Sequence, residues 1–184
     1  MSAAAVTGAA KSAATQSTTK NTVYLFRHIQ TSQVLVSLKS SVEKQSLKQI
    51  TDVTRRPAHV RPDHWHPLVA IQGFARPQDA LSFHNSLRDH QLNLQAVKAS
   101  DATHMLQPRR LRAPQEMNQV DQTLVKMVEL LDAQKTKTGI QVLWERDGVR
   151  KSILEKEGVE GKVLLEGVEH GELVVKRGRD IVNA

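Results

Sequence analysis

The sequence has no cysteine, few aromatic residues and no long hydrophobic run. Without thiols the chain cannot form disulfides or supply thiolate ligands to a metal, which fits a reducing compartment. Only two Trp, one Tyr and three Phe are present, so aliphatic side chains must form most of any core. No apolar stretch approaches the roughly 18 residues that a membrane-spanning helix needs. These absences exclude a disulfide scaffold and a thiolate metal site, and we expect no membrane insertion.

Residues 1–22 have no acidic side chain and few large apolar ones. They are mainly Ala, Ser and Thr, and their charged side chains are Lys11 and Lys20. This composition cannot bury a core, so it predicts a segment that is disordered or extended when alone. Two interpretations stay open: a mitochondrial presequence, although arginine is missing, or an extension that becomes ordered against a partner.

Sequence motifs for catalysis are absent or weak. No phosphate-binding loop of the Gly-x-x-x-x-Gly-Lys type occurs, so ATP-driven chemistry is not expected. The segment Asp63–His66 has two histidines that would point the same way, but no third His or Cys lies at a ligand-like spacing. Asp147 followed by Glu160 and Lys162 has the residue types of a metal-dependent nuclease, within acidic turns. We therefore predict no catalytic residue, cofactor or metal, and keep a nuclease as a disfavoured alternative.

Positive charge is concentrated in the first part of the chain. Residues 1–113 carry 15 Lys+Arg against 6 Asp+Glu, a net +9, whereas residues 114–184 carry 11 against 13, a net −2. This distribution favours a polyanion-binding surface on the first part. Basic surfaces also serve membranes and acidic proteins, so charge alone leaves the partner open.

Hydrophobic periodicity predicts an α+β fold with a small mixed sheet. The strands are predicted near 23–29, 33–38, 68–72 and 92–96. The first two are joined by a short connection, which favours an antiparallel hairpin. A further strand is predicted at 140–144, then a turn at Asp147-Gly148 and short strands at 163–165 and 173–175.

Three helices are predicted from capping and periodicity. Ser40-x-x-Glu43 matches a capping box, which predicts a helix from Ser41 to about Val53. Pro77 is suited to the first turn of a second helix that ends near His90. Pro114 is expected to open a long amphipathic helix near 114–134. The expected organisation is an N-terminal segment 1–22, an αβ core 23–97, a basic irregular linker 98–113, and a long helix with a β-rich extension over 114–184.

The candidate binding residues are cations in segments predicted to be irregular. Guanidinium groups match phosphate oxygens and stack on bases, and flexible arginine segments suit RNA, which is read by shape and by its exposed bases. Trp65 could stack on a base, but packing beside the strand at 68–72 is favoured for so large an apolar ring, and Trp144 is expected in the core. The predicted nucleic-acid-binding residues are Lys11, Lys20, Arg55, Arg56, Arg61, Trp65, Arg109, Arg110 and Arg112.

Several blocks of sequence resemble one known family. They are Val-Tyr-Leu-Phe-Arg-His at 23–28, Gln-Val-Leu-Val-Ser at 33–37, and Arg61-x-Asp63-x-Trp65 leading to Leu-Val-Ala-Ile. Together with Ser-Phe-His at 82–84, these blocks are similar to the fungal mitochondrial homologous recombination protein family, over roughly residues 22–95.

The resemblance implies a small αβ domain with rRNA-binding extensions. It implies a structural protein of the large subunit of the fungal mitochondrial ribosome, in the matrix, with large-subunit rRNA and neighbouring ribosomal proteins as partners. Because some members are linked to mitochondrial DNA pairing, an ATP-independent DNA-binding factor for mitochondrial recombination is the alternative expectation.

Overall fold

The computed structural model describes residues 21–51, 56–134, 139–154, 168–175 and 181–182. Within these ranges the chain has the predicted α+β fold. The strands are β1 Val23–His28, β2 Val34–Ser37, β3 Trp65–Gln72, β4 Gln141–Trp144, β5 Glu169–Glu172, β6 Val174–Val175 and β7 Ile181–Val182. The helices are α1 Pro77–Ser100, α2 Ala102–Leu106, α3 Arg109–Met117, α4 Val120–Asp132 and α5 Asp147–Leu154. Short 3-10 turns cover Ser46–Gln49 and Pro62–His64.

A mixed five-stranded sheet has the order β2-β1-β3-β4-β5, and β6 pairs separately with β7. The first four strands are antiparallel neighbours, and β5 runs parallel to β4. The predicted β1–β2 hairpin and the predicted strands at 23–29, 33–38, 68–72 and 140–144 are confirmed. Between β1 and β3 the register shifts at Leu25/Phe26, opposite Val69 and Pro67. Such an irregularity tolerates a proline that has no N–H for the ladder.

Both faces of the sheet are buried, which explains why its strands are apolar at successive positions. On one face Leu25 and Ile71 pack with Leu87 of α1, Met127 of α4 and Ile153 of α5. The opposite face packs with the turn at 46–50 and with the segment that follows β5. It consists mainly of Tyr24, Phe26, Leu35, Leu47, Ile50, Trp65, Leu143 and Leu173.

The predicted strand at 92–96 is wrong, because α1 continues for 24 residues to Ser100. The alternation of Leu92, Leu94 and Ala96 resembled a strand. The buried positions of α1, however, continue at four-residue steps from Phe83 through Leu87 to Gln91. Leu, Gln and Ala are also good helix formers, so local preference and burial both favour the helix.

The predicted helix from Ser41 to Val53 is also wrong: residues 41–51 contain only the 3-10 turn Ser46–Gln49, and residues 52–53 lie outside the described ranges. The capping box does not form, and the Glu43 carboxylate instead binds Lys39 Nζ at 2.5 Å. The side chain of Gln49 accepts from Val36 N at 2.9 Å and donates to Val36 O at 2.6 Å. The Gln49 side chain thereby pairs with backbone N–H and C=O groups at the outer edge of β2. This pairing favours the observed 3-10 turn over an α-helix.

The predicted long helix at 114–134 is divided into α3 and α4, with Pro114 inside α3 rather than at a helix start. The break falls where Gln119 N donates to Ser32 O at 3.2 Å, a tertiary bond in place of a continued helix. Residues 98–113 are not irregular, since they include the end of α1, all of α2 and the start of α3. Asp147-Gly148 begins α5 rather than forming a turn.

The C-terminal part of the chain contributes β4 and β5 to the same sheet as β1–β3. The predicted strand at 173–175 corresponds to β6, whereas 163–165 lies outside the described residues. The division into four segments stays a prediction. Among the described helices, none combines the length and hydrophobicity that crossing a membrane requires.

Candidate nucleic-acid interface

The turn between β1 and β2 brings two separate basic segments to one end of the sheet. His28 N donates to Gln33 O at 2.8 Å and closes this turn, in which Ser32 has a left-handed φ of +57°. On one side, Ile29 N donates to His64 O at 2.9 Å and fixes the 3-10 turn before β3. On the other side, Gln119 N binds Ser32 O and fixes the junction of α3 and α4. The segment that carries Arg61 and the C-terminal end of α3 therefore flank the same turn, and Arg112 of α3 lines a pocket together with Gln33.

The arginines before β3 differ in exposure and in their contacts. Arg56 is half-buried and donates from Nε and Nη2 to Ile50 O, at 2.8 and 2.6 Å. It therefore ties residue 56 to the backbone at Ile50. Arg61 is exposed to solvent. Arg55, Lys11 and Lys20 lie outside the described residues.

Trp65 lines a pocket of about 240 Å³ together with His28, His64 and Arg61. Its side chain is 2% exposed, and the His28 ring lies edge-on to it with 5.0 Å between centroids. The predicted packing of Trp65 is confirmed, and so little exposed ring leaves no face for a stacked base. Trp144 is likewise in the core, at 3% exposure, and donates from Nε1 to His170 Nδ1 at 3.1 Å.

Burial and the neighbouring His64 favour the neutral form of His28. Its Nδ1 accepts from the backbone N–H groups of Gln30 and Thr31, at 3.4 and 3.3 Å. The second imidazole, His64, lies 5.3 Å away between ring centroids. Burial, and then the nearby His64, lower the pKa of His28 below its ordinary value. A neutral His28 therefore fits this site.

The second arginine cluster lies on α3, and its members differ in exposure. Arg109 and Arg110 are exposed. The Arg112 side chain is only 21% exposed, with Nη1 3.4 Å from Met105 O and Nε 3.8 Å from a Glu116 carboxylate oxygen. Glu116 also binds His104 Nε2 at 2.9 Å.

Lys98 is a further cation close to α3, and it was not among the predicted binding residues. It is half-buried on the last turn of α1 and donates from Nζ to Gln115 O at 2.9 Å. Burial lowers its pKa, and Glu116 partly opposes that shift. A correct prediction of 92–96 as helix would have placed Lys98 on α1, whereas its contact with α3 depends on the tertiary fold. We call Arg61, Lys98, Arg109, Arg110 and Arg112 together the turn-end surface.

The described residues show no group of three His, Cys, Asp or Glu side chains that could hold a metal ion. His64 lies 3.7 Å from the Asp63 carboxylate, a single pair. Asp147 is exposed in the first turn of α5. Glu160 and Lys162, its proposed companions in a nuclease, lie outside the described ranges.

Comparison with known proteins adds two similarities. Residues 20–100 match the sequence model of the Mhr1 family, described as "Transcriptional regulation of mitochondrial recombination". A protein of Schizosaccharomyces pombe (strain 972), named Large ribosomal subunit protein mL67, is 40% identical over 58 residues. That match covers 27% of this chain and 33% of the relative, so it spans about a third of the relative's length. The family resemblance of the sequence is thus confirmed for the part that forms β1–β3 and α1.

Proposed function

We propose that the chain is a structural, rRNA-binding component of the large subunit of a fungal mitochondrial ribosome. The observation that carries the proposal is the turn-end surface, where two basic segments far apart in sequence flank the β1–β2 turn. The similarity to a relative named as a large ribosomal subunit protein supports this choice among polyanion binders. The proposed location is the mitochondrial matrix, and the partners are large-subunit rRNA and neighbouring ribosomal proteins.

In this proposal the αβ core is a rigid support and the cations bind ribose-phosphate. Arg61, Arg109 and Arg110 are exposed, so each can reach a phosphate without unfolding the chain. Arg56 and Trp65 act indirectly, because they hold the segment that carries Arg61. Lys11, Lys20 and Arg55 are proposed as further phosphate contacts, in keeping with the predicted role of basic extensions. No catalytic step, metal or cofactor belongs to this proposal.

Sedimentation of mitochondrial extract tests the function directly. The tagged wild-type chain is expected to co-sediment with the large ribosomal subunit. A variant with Arg61, Arg109 and Arg110 all changed to Ala is expected to shift toward free protein, because it loses three phosphate contacts. The matched control changes Arg76, Arg88 and Lys126 to Ala and should stay with the subunit. Recovery of the wild-type chain only in nucleoid fractions would contradict the proposal.

A second candidate is an ATP-independent DNA-binding factor for mitochondrial recombination. The observation that favours it is the description of the matching family, which refers to mitochondrial recombination. The same turn-end surface would bind DNA phosphates, so charge does not separate the two functions. Recovery in the nucleoid fraction, with loss on changing the same three arginines, would favour this second candidate.

A further inference from the structure

A second and larger pocket, of about 340 Å³, lies beside the β1–β2 turn. The last turn of α1, helices α2 and α3, and the segment after the 3-10 turn Ser46–Gln49 form its walls. Its volume falls in the range of ordinary small-ligand sites, about 300–1,000 Å³. The lining residues include Gln33, Ile50, Lys98, Met105, Arg112 and Gln119.

Two buried glutamines supply the polar part of this pocket. Gln33 and Gln119 are 4% and 6% exposed, although both line the cavity. Gln33 accepts a hydrogen bond from Thr31 Oγ1 at 3.0 Å through its side-chain oxygen. In the part of the chain that the structure describes, neither side-chain NH2 group donates a hydrogen bond. Neither NH2 nitrogen is sealed inside the protein, so both amides are open to the cavity and can donate to a ligand that has hydrogen-bond acceptors.

A third glutamine, Gln95, fixes the opposite wall. Its side-chain oxygen accepts from Thr51 N at 3.1 Å, and its nitrogen donates to Gln49 O at 3.2 Å. The amide of Gln95 is thus committed to the segment that carries Ile50. The wall is held in place before any ligand arrives, which reduces the ordering cost of binding.

Charge in the pocket favours a neutral ring inside and an anion at the mouth. The cations are Lys98 and Arg112, and both lie close to Glu116, which carries the opposite charge. The Glu116 side chain is 13% exposed, and a phosphate buried beside it would be repelled. Ile50 and the Met105 thioether provide apolar contact for a flat ring.

We propose that this pocket holds one unpaired nucleotide of the bound RNA. The base contacts Ile50 and Met105 and meets the amides of Gln33 and Gln119, while the phosphate lies toward Lys98 and Arg112. Recognition of a single splayed base is the usual way in which proteins read RNA outside duplexes. The inference rests on the proposed RNA-binding function and adds to it a preference for unpaired RNA.

Two RNA hairpins that differ at one position test this preference. One has a single bulged 2-aminopurine, and the other is the same hairpin fully paired. The full-length chain is expected to bind the bulged hairpin about tenfold more tightly, the effect of one or two well-placed hydrogen bonds. The 2-aminopurine emission is expected to change on binding, because the base leaves water for the pocket.

A pocket-filling variant tests the contribution of the pocket to binding without changing the cations. Ala99 is exposed and lines the cavity, so Ala99→Phe occupies the space without removing a cation. This variant should bind both hairpins with the affinity that the wild type has for the paired one. Ala96→Phe is the matched control, because Ala96 is also exposed on α1 but does not line the pocket. It should keep the wild-type preference, and thermal melts of both variants check that they fold.

A wild-type measurement makes the test independent of variants. A hairpin with a bulged 4-thiouridine is expected to photo-crosslink to the peptide that contains Met105 or the peptide that contains Gln119. Equal affinity of the wild type for both hairpins, retention of the preference by Ala99→Phe, or crosslinks only elsewhere would overturn the pocket and leave the RNA-binding function standing. Failure to bind either hairpin would overturn the RNA-binding function, and the pocket with it.

Discussion

At the residue scale, His28 connects the β1–β2 turn to the pocket that Trp65 lines. Its Nδ1 accepts from the N–H groups of Gln30 and Thr31, and its ring lies edge-on to Trp65. Protonation would put an N–H against those donors and place a charge in a buried site. The neutral ring is therefore part of the folded structure.

This state of His28 predicts a loss of stability in mild acid. Its pKa in the fold is below the ordinary value of 6.5, so the unfolded chain takes up the proton first as the pH falls. The free energy of unfolding should be at its full value above about pH 6.5 and should decrease as the pH falls through the lowered pKa of the folded state.

The His28→Asn variant checks this prediction by urea denaturation at pH 8.0, 7.0, 6.0 and 5.0. Asparagine keeps an acceptor for the two N–H groups but does not titrate, so the variant should lose less stability in acid than the wild type. Some pH dependence should remain, because burial also lowers the pKa of His90 and His170. Identical pH profiles for wild type and variant would show that His28 does not contribute.

The arginine clusters could be read from the sequence, but their meeting point could not. Arg61 and Arg110 are 49 positions apart, and hydrogen bonds from Ile29 to His64 and from Gln119 to Ser32 tie the segments that follow them to one turn. The contact of Arg56 was equally hidden, because it depends on the position of Ile50 O. Composition thus predicts which residue types bind, whereas the tertiary contacts decide which ones face solvent.

At the element scale, two glycines control how β3 leads to α1 and how the chain enters β4. Gly73 has φ of +90°, and a Cβ built on it would lie within 2.9 Å of the Gly139 carbonyl carbon and closer still to its oxygen. Gly139 has φ of +86°, but a Cβ built there meets nothing within 4 Å. The two positions share a left-handed backbone and differ in available space.

This difference predicts unequal costs for the same substitution. Gly139→Ala should lower the free energy of unfolding by about 1–2 kcal/mol, the strain of a left-handed backbone. Gly73→Ala should cost more than about 3 kcal/mol, because backbone must also move away. Urea denaturation of the two variants at one pH checks the prediction. Equal costs would mean that the close approach of residues 73 and 139 does not constrain the fold.

The strands were predictable because their apolar and β-branched residues bury both faces of the sheet. The helical elements were less so. The segment 41–51 has a capping signal, yet the bond between Gln49 and the edge of β2 takes precedence. The break between α3 and α4 depends on the bond from Gln119 to Ser32. Both errors come from tertiary hydrogen bonds that leave no local pattern in the sequence.

At the scale of the whole molecule, the two ends of α1 each have a cation, but the two cations have different partners. Lys98 belongs to the turn-end surface, whereas Arg76 precedes the first residue of α1 and pairs with Asp79 at 3.0 Å. A rise of 1.5 Å per residue puts these two positions about 33 Å apart along the helix. Arg76 is therefore a control for charge removed far from Lys98.

The salt dependence of RNA affinity tests the central claim most directly. The chain is titrated with large-subunit rRNA fragments over a range of salt concentrations. With the five cations of the turn-end surface and the three further proposed contacts Lys11, Lys20 and Arg55, the slope of log K against log salt should be about −5.6 for single-stranded contacts. Changing Arg61, Arg109 and Arg110 to Ala should reduce that slope by about 2, while changing Arg76, Arg88 and Lys126 to Ala should leave it unchanged. Absence of RNA binding by the folded chain at low salt, or equal effects of the two triple variants, would contradict the account.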